Sequence, residues 1–133
     1  MPDDAIWKPN VTVAAVIERG GRFLLVEEQT ERGVLFNQAA GHLDPGESLV
    51  DATVRETLEE SAYTFRPTAL LGAYLYRASP EGTTYLRFAF AGELAGHDPA
   101  RPLDHGILRA VWLTPDEIRD GRERHRSPLV VQC

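Results

Sequence analysis

Three glutamates near the middle of the chain have the residue type and the spacing of a metal site. On a helical wheel, Glu56, Glu59 and Glu60 fall within an arc of about 100°. Like charges three and four residues apart destabilise a helix by roughly 0.2–0.5 kcal/mol per pair. A cation bound between them would turn this destabilisation into a stabilisation. Carboxylate oxygens are hard ligands, which suit Mg²⁺ or Mn²⁺. The alternative is that the glutamates form an ordinary solvent-exposed face of a helix.

The spacing of a wider set of residues separates these two interpretations. Gly41 is followed after five residues by Glu47, after seven more by Arg55-Glu56 and after two more by Glu59-Glu60. Six defined residue types at six positions match by chance in about 10⁻⁷ of windows at average amino-acid usage. Coincidence is therefore not a serious explanation, and the pattern favours a site that does chemistry.

A turn and a helix must position these residues. Asp44-Pro45-Gly46 predicts a turn, and Ser48-x-x-Asp51 resembles a capping box that starts a helix running to about Ser61. The apolar side of this helix lies opposite the glutamates and comprises Val50, Val54 and Leu58. We expect that side to pack against a sheet and the acidic stripe to point away from it.

The remaining segments alternate strand patterns with turn signals. Strands are predicted over residues 11–17, 22–27, 34–38, 70–76, 85–94 and 107–113. The first two flank Gly20-Gly21 and predict a hairpin, and Thr114-Pro115-Asp116-Glu117 predicts the start of a second, short helix. Three strands, a helix, three strands and a helix indicate an α/β protein with a mixed sheet and helices packed on it, an α/β/α sandwich.

Composition restricts the class of protein further. The chain has 133 residues, 43% hydrophobic and 26% charged, which is typical of one soluble globular domain over residues 1–133. No apolar run is long enough to span a bilayer, and Met1-Pro2-Asp3-Asp4 lacks the pattern of a secretory signal. The net charge is −6, and the cluster Arg122, Arg124 and Arg126 is expected to be a solvated tail. The single Cys133 cannot form an internal disulfide. We expect a cytoplasmic protein whose partner is neither a nucleic acid polymer nor a membrane, with the oligomeric state left open.

The stretch from Gly41 to Tyr63 resembles the Nudix box, G-x5-E-x7-R-E-U-x-E-E-x-G-U, where U is a bulky aliphatic residue. Thr57, Ala62 and Tyr63 depart from it at positions that concern packing and the end of the helix. The resemblance implies a Nudix-type α/β/α sandwich, with the loop and helix of the box at residues 41–63. It also implies hydrolysis of a nucleoside diphosphate linked to another moiety, or of a related diphosphate.

The resemblance assigns metal ligands residue by residue. It implies that Glu56 and Glu60 bind the metal directly, with the carbonyl of Gly41 completing the shell. Glu59 is expected to bind directly or through water, and Glu47 to be a further ligand or a group behind the ligands. The implied cofactor is Mg²⁺, with Mn²⁺ as the alternative.

The resemblance also implies catalytic roles. Arg55 is expected to orient Glu56 through a carboxylate pair instead of binding substrate. Glu56 is the favoured residue for accepting a proton or orienting water, and Glu59 is a further candidate. Asp104 or His105 could take that role, because Gly106 stands where many relatives place an acidic residue.

Strings outside the box are similar to a subgroup of the family, the NudJ-type phosphatases. They are Asn37-Gln38 ahead of Ala40-Gly41-His42-Leu43, then Leu86-Arg87-Phe88, and Arg126-Ser127-Pro128-Leu129-Val130. The similarity implies metal-dependent hydrolysis of a diphosphate linkage in nucleoside tri- or diphosphates or in thiamine-pathway diphosphates. The alternatives are another nucleotide (an oxidised deoxynucleoside triphosphate, ADP-ribose or a dinucleoside polyphosphate) or a non-catalytic nucleotide-binding regulator. The intact glutamates of the box favour the enzyme.

A few residues outside the helix are candidates for contacts with the small-molecule substrate. Asn37 and Gln38 could contact a base or pyrimidine ring, with capping of the strand end as the alternative. His42 and Arg87 are candidate phosphate contacts. Asp104 is a further candidate. The aromatic residues of the strands are expected to be core or cross-strand pairs, with stacking on a substrate ring as the alternative: Tyr74, Tyr76, Tyr85, Phe88 and Phe90.

Overall fold

The computed structural model describes residues 6–121 and 124–132 of the chain. The predictions made for Met1-Pro2-Asp3-Asp4, Arg122 and Cys133 lie outside these residues. Within them, no helix is both long enough and apolar enough to cross a membrane.

Eight strands and three helices form in the described residues. In chain order they are β1 (Asn10–Val16), β2 (Glu18–Arg19), β3 (Arg22–Thr30), β4 (Gly33–Asn37), β5 (Ala39–His42), α1 (Leu49–Ser61), β6 (Tyr63–Arg77), β7 (Thr84–His97), β8 (Ile107–Leu113), α2 (Pro115–Asp120) and α3 (Leu129–Gln132). The α/β class predicted from the sequence is confirmed.

The strands form two four-stranded sheets. The first has the order β5-β1-β7-β6 and is mixed, because β1 and β7 run parallel while the other pairs are antiparallel. The second is antiparallel and is built around β3, which pairs with β2, β4 and β8. The core lies where the sheets meet and contains Ala15, Ile17, Leu24, Phe65 and Phe90.

The prediction of one hairpin over residues 11–27 is wrong. β1 pairs with β5 on one edge and with β7 on the other, so neither edge is left for β3. The chain passes to the second sheet after Ile17, and only the two-residue strand β2 forms the hairpin with β3. Its tight turn uses Gly20 and Gly21, both with positive φ. The segment Ala39–His42 is the edge strand β5 of the first sheet.

The predicted orientation of α1 is also wrong. The helix buries Ala52, Thr53, Glu56, Thr57 and Ser61, and the apolar residue Val50 is 44% exposed. The acidic edge therefore faces inward.

Hydroxyl groups explain how this polar face of α1 can be buried. Thr53, Thr57 and Ser61 each donate a hydrogen bond to the carbonyl four residues earlier, at 2.6–2.8 Å. Their small side chains also let the helix approach β5 closely. Ser48 caps the start of the helix by accepting from the Asp51 N–H, and Ala62 ends it in the left-handed conformation with φ 63°. Both ends agree with the sequence prediction.

Candidate active site

Glu56 and Glu60 occupy the inward edge of α1, beside β5. Glu56 is 8% exposed, and one oxygen of Glu60 accepts a hydrogen bond of 3.0 Å from the Ala40 N–H. Two carboxylates are thus held next to an edge strand in a partly desolvated environment. Such an environment disfavours negative charge unless a cation is present.

Burial changes the acidity of both groups. Burial raises the pKa of Glu60 to about 8, with the charges of Glu56, Glu28 and Asp104 acting in the same direction against the hydrogen bond from Ala40. Burial, followed by the hydrogen bond with Glu59, raises the pKa of Glu56 to about 7, although Arg55 opposes this. Without a further cation, both glutamates hold a proton more readily than an exposed glutamate does.

Gly41 makes the close approach of α1 to β5 possible. A Cβ atom at this position would lie 1.1 Å from Oε2 of Glu56 and 2.1 Å from its Cδ. The carboxylate of Glu56 therefore fills the space that any side chain at residue 41 would need. This contact explains why the motif requires glycine six residues before Glu47.

Arg55 lies at the centre of a group of carboxylates. Its Nε donates to Glu47 Oε2 at 2.7 Å, and its Nη1 donates to Glu56 Oε1 at 2.9 Å and to Glu59 Oε1 at 3.0 Å. Its Nη2 donates to the His42 carbonyl at 3.0 Å. The hydrogen bond to Arg55 holds the pKa of Glu47 below its usual range, and the same contact raises the pKa of Arg55. The guanidinium thus connects the loop before α1 to the helix.

The inward edge of α1 opens into a cavity of about 1000 Å³. Its acidic lining residues are Glu28, Glu31, Glu56 and Glu60, and its basic ones are Arg32, Arg87 and Arg126. The register places Thr12 beside both His42 and Arg87 on the first sheet, so the cavity extends from α1 along this sheet. Side chains of both signs line one space that is large enough for a nucleotide-sized molecule.

Comparison with known proteins identifies the family of this chain. The NUDIX domain family matches residues 7–132. The chain belongs to the Nudix family. This Nudix hydrolase is 40% identical over 127 residues to phosphatase NudJ of Escherichia coli strain K12, an alignment that covers 96% of this chain and 82% of NudJ.

Solved structures of other Nudix proteins share the fold. A NUDIX hydrolase from Nitrosomonas europaea is 53% identical, with a TM-score of 0.91 over 95% of this chain and 86% of that chain. A MutT NUDIX hydrolase from Burkholderia pseudomallei is 20% identical, with a TM-score of 0.73 over 89% of this chain and 98% of the other. The second comparison shows the fold alone. The family resemblance and the class of enzyme inferred from the sequence are confirmed.

The structure divides the predicted site residues of this Nudix hydrolase into two groups. Those that line the cavity are Asn37, Gly41, His42, Glu56, Glu60 and Arg87. The others, Glu47, Arg55, Glu59 and Asp104, do not line it. Asp104 is exposed, and its N–H donates to the Glu59 carbonyl at 2.9 Å. In the second group, Glu47 and Glu59 accept hydrogen bonds from Arg55, and Asp104 contacts only the backbone of Glu59 in this group.

Arg87 lies among polar side chains at the junction of β4 and β5. It is 6% exposed, and its Nη2 donates to Asn37 Oδ1 at 3.3 Å while its Nη1 donates to Gln38 Oε1 at 3.1 Å. Strand alternation places Arg87 and the core residue Phe90 on opposite sides of β7.

Sequence reasoning missed several cavity residues of this Nudix hydrolase. Glu28 follows the predicted end of the second strand, but β3 continues to Thr30 and carries it to the cavity. Tyr76 and Tyr85 form a cross-strand pair, as expected, and also line the cavity. The length of β3 and the pairing of β6 with β7 depend on long-range contacts that local patterns do not contain.

The two members of the predicted arginine tail that the structure describes are exposed, and they also contact the second sheet. Arg124 packs over the ring of Phe36 at 4.5 Å from its centroid and lies 3.6 Å from Glu27. The Arg126 N–H donates to the Phe36 carbonyl at 2.7 Å, and its side chain lines the cavity. The C-terminal segment is therefore part of the cavity wall.

Replacing Arg55 by methionine is expected to lower the free energy of unfolding by about 2–4 kcal/mol. The substitution removes the ion pairs to three glutamates and leaves the buried Glu56 without its cation. Urea unfolding in the presence of a chelator measures the change. Arg66→Met is the control, because its 3.6 Å pair with Glu93 is exposed and should contribute less than about 0.5 kcal/mol. Equal changes in the two variants would contradict the central role of Arg55.

Proposed function

We propose that this Nudix hydrolase cleaves a diphosphate linkage in nucleoside tri- or diphosphates or in thiamine-pathway diphosphates, with Mg²⁺ or Mn²⁺ as cofactor. The observation that carries the proposal is that glutamates and arginines line the same cavity. Guanidinium groups suit phosphate oxygens in charge and geometry. The carboxylates repel phosphate unless a divalent cation lies between them, so the two sets of residues together favour a metal-bound diphosphate.

The donor set beside Gly41 fits such a cation. Glu56 and Glu60 offer hard oxygen ligands, and their raised pKa values, about 7 and about 8, indicate that charge on them is uncompensated without one. Among residues 6–121 and 124–132, no three acidic or imidazole side chains already converge closely enough to hold a metal. Arg55 contacts Oε1 of Glu56 and Oε1 of Glu59, whereas Oε2 of Glu56 lies beside Gly41.

The bound metal would neutralise phosphate charge and lower the pKa of the attacking water. Glu56, which lines the cavity beside Gly41, would accept a proton from the attacking water or orient that water. The water oxygen forms a bond to phosphorus, the bridging P–O bond breaks, and its electron pair leaves with the departing phosphate. Arg55 orients Glu56 through its 2.9 Å contact, and Glu47 and Glu59 keep Arg55 in place.

Residues on both sheets supply the remaining substrate contacts of the proposal. Arg87 and His42 bind phosphate oxygens, and Asn37 contacts the ring of the substrate. Tyr85 lies 6.3 Å from His42 between ring centroids and, with Tyr76, offers an aromatic surface for a base or pyrimidine. Asp104 lies farther from the cavity and acts through the Glu59 backbone.

A phosphate-release assay over a substrate panel tests the proposed function. The panel contains nucleoside tri- and diphosphates and thiamine diphosphate, together with an oxidised deoxynucleoside triphosphate, ADP-ribose and a dinucleoside polyphosphate. We expect turnover of the first group with Mg²⁺ or Mn²⁺, and a loss of at least about 100-fold with excess chelator. Turnover confined to the second group would overturn the proposed substrate class. Full activity in chelator would overturn the metal dependence.

A further inference from the structure

Gln38 connects three parts of the fold through its side-chain amide. It lies between β4 and β5, where the chain passes from the second sheet to the first, and it is 4% exposed. Its Oε1 accepts from Arg87 Nη1 at 3.1 Å, and its Nε2 donates to the Val130 carbonyl at 2.8 Å. The partners are 49 and 92 positions away in the sequence. The amide thus joins the cavity to α3.

The chemistry of the two partners fixes the orientation of this amide. A guanidinium only donates hydrogen bonds and a carbonyl only accepts them, so Oε1 must face Arg87 and Nε2 must face Val130. A flipped amide would place two donors together and two acceptors together. A buried amide with both ends matched in this way has one allowed orientation, and it holds its partners in one geometry.

Asn37 completes the arrangement around Arg87. Its Oδ1 accepts from Arg87 Nη2 at 3.3 Å and from the Gln38 N–H at 3.0 Å. Two neighbouring amide oxygens therefore orient two guanidinium nitrogens. Amide oxygens do this without adding negative charge to the cavity, whereas a carboxylate in either position would repel an incoming phosphate.

We propose that Gln38 is a positioning residue for phosphate binding: it holds the Arg87 guanidinium toward the cavity and couples it to the C-terminal segment through Val130. The inference rests on the proposed role of Arg87 as a phosphate contact. Leu129 and Val130 are 3% and 4% exposed, so the segment that receives the second hydrogen bond is itself packed in place.

A double-substitution cycle tests the coupling, with inorganic pyrophosphate as the probe and calorimetry in Mg²⁺ as the measurement. Gln38→Met is expected to raise the Kd about 10-fold, and Arg87→Met by about 30-fold or more. The double variant should bind no more than about threefold more weakly than Arg87→Met alone, because Gln38 acts through Arg87. If the fold-increases in Kd of the two single variants multiply in the double variant, the proposal is overturned. Unchanged binding by Gln38→Met would overturn it as well.

Two further variants separate positioning from a loss of stability. Phe65→Leu weakens packing in the buried core, outside the cavity, and it should leave the Kd for pyrophosphate at the wild-type value. Gln38→Glu keeps an acceptor for Arg87 if Gln38→Met fails to fold, but it adds negative charge and should also raise the Kd at least 10-fold. Wild-type affinity in Gln38→Glu would contradict the proposal.

The binding measurements on the Gln38 variants do not depend on whether the protein turns over any substrate of the panel. Failure of every substrate in the panel would overturn the proposed function, whereas pyrophosphate affinity tests Gln38 directly. On the best substrate of the panel, we expect Gln38→Met to raise KM and to leave kcat within about threefold of wild type.

Discussion

Glu60→Gln is expected to lower kcat by about 10³-fold while making the metal-free protein more stable. The activity falls because the amide is neutral and cannot hold a divalent cation as the carboxylate does. The fold survives because the amide oxygen of the substituted side chain can still accept the hydrogen bond from the Ala40 N–H, which is 3.0 Å from the carboxylate in the wild type. Steady-state phosphate release and thermal unfolding measure the two effects.

The gain in stability has a defined dependence on pH. Glu60 has an ordinary pKa of 4.5 and a folded-state pKa of about 8 in the absence of metal. Because the folded pKa is the higher one, the contribution of protonated Glu60 is complete below pH 4.5 and is lost as the pH rises through about 8. The glutamine variant has no such loss. In chelator, its free energy of unfolding should match wild type near pH 4 and exceed it by about 1–3 kcal/mol at about pH 8.

Added metal should reverse this order. If Mg²⁺ binds only the folded protein, the free energy of unfolding of the wild type rises with the logarithm of the Mg²⁺ concentration divided by the Kd. The free energy of unfolding of the glutamine variant should rise far less. Glu93→Gln serves as the control, since Glu93 is 71% exposed and lies on β7 outside the cavity. Near-normal turnover by Glu60→Gln would show that the assignment of the metal ligands is wrong.

The part of this site that lies on α1 and the turn before it could be predicted from the sequence, because its residues are close together in the chain. The spacing of Arg55 from Glu56 and Glu59 is fixed by one helix, and the turn and cap before it are set by Asp44–Ser48 and their neighbours. A helical wheel does not show which face is buried, however. The wheel placed Val54 on the side expected to pack. The structure instead buries Thr53 and Thr57, whose hydroxyl groups are satisfied by hydrogen bonds within the helix.

The other half of the cavity depends on topology. Arg87 meets Gln38 only because β7 and β5 both pair with β1, and Arg126 reaches the same space only because its backbone bonds to Phe36. Contacts between residues 49 or 90 positions apart leave no periodic signal in a single sequence. A glutamine beside an asparagine at a strand end indicates a contact with a substrate ring or a cap equally well, so the role of Gln38 requires the fold.

Gly41→Ala is expected to lower kcat by about 10²-fold or more and to change stability by less than Arg55→Met does. Gly41 has no positive φ, so alanine is compatible with the backbone of β5. The added Cβ would lie 1.1 Å from Glu56 Oε2, and the carboxylate must leave its position. A displacement of about 1 Å in a group that orients water or metal costs roughly 10²-fold in rate.

Gly96 in β7 provides a matched comparison for this substitution. A Cβ at Gly96 would have nothing within 4 Å, and its backbone also lacks a positive φ. Gly96→Ala should therefore keep wild-type kcat and metal affinity, which separates the effect of the Glu56 contact from the general effect of alanine in a strand. Calorimetry with Mn²⁺ should show weaker binding for Gly41→Ala alone. If the two alanine variants were equally active, the carboxylate of Glu56 would not need the position that Gly41 leaves open, and its proposed role in catalysis would fail with it.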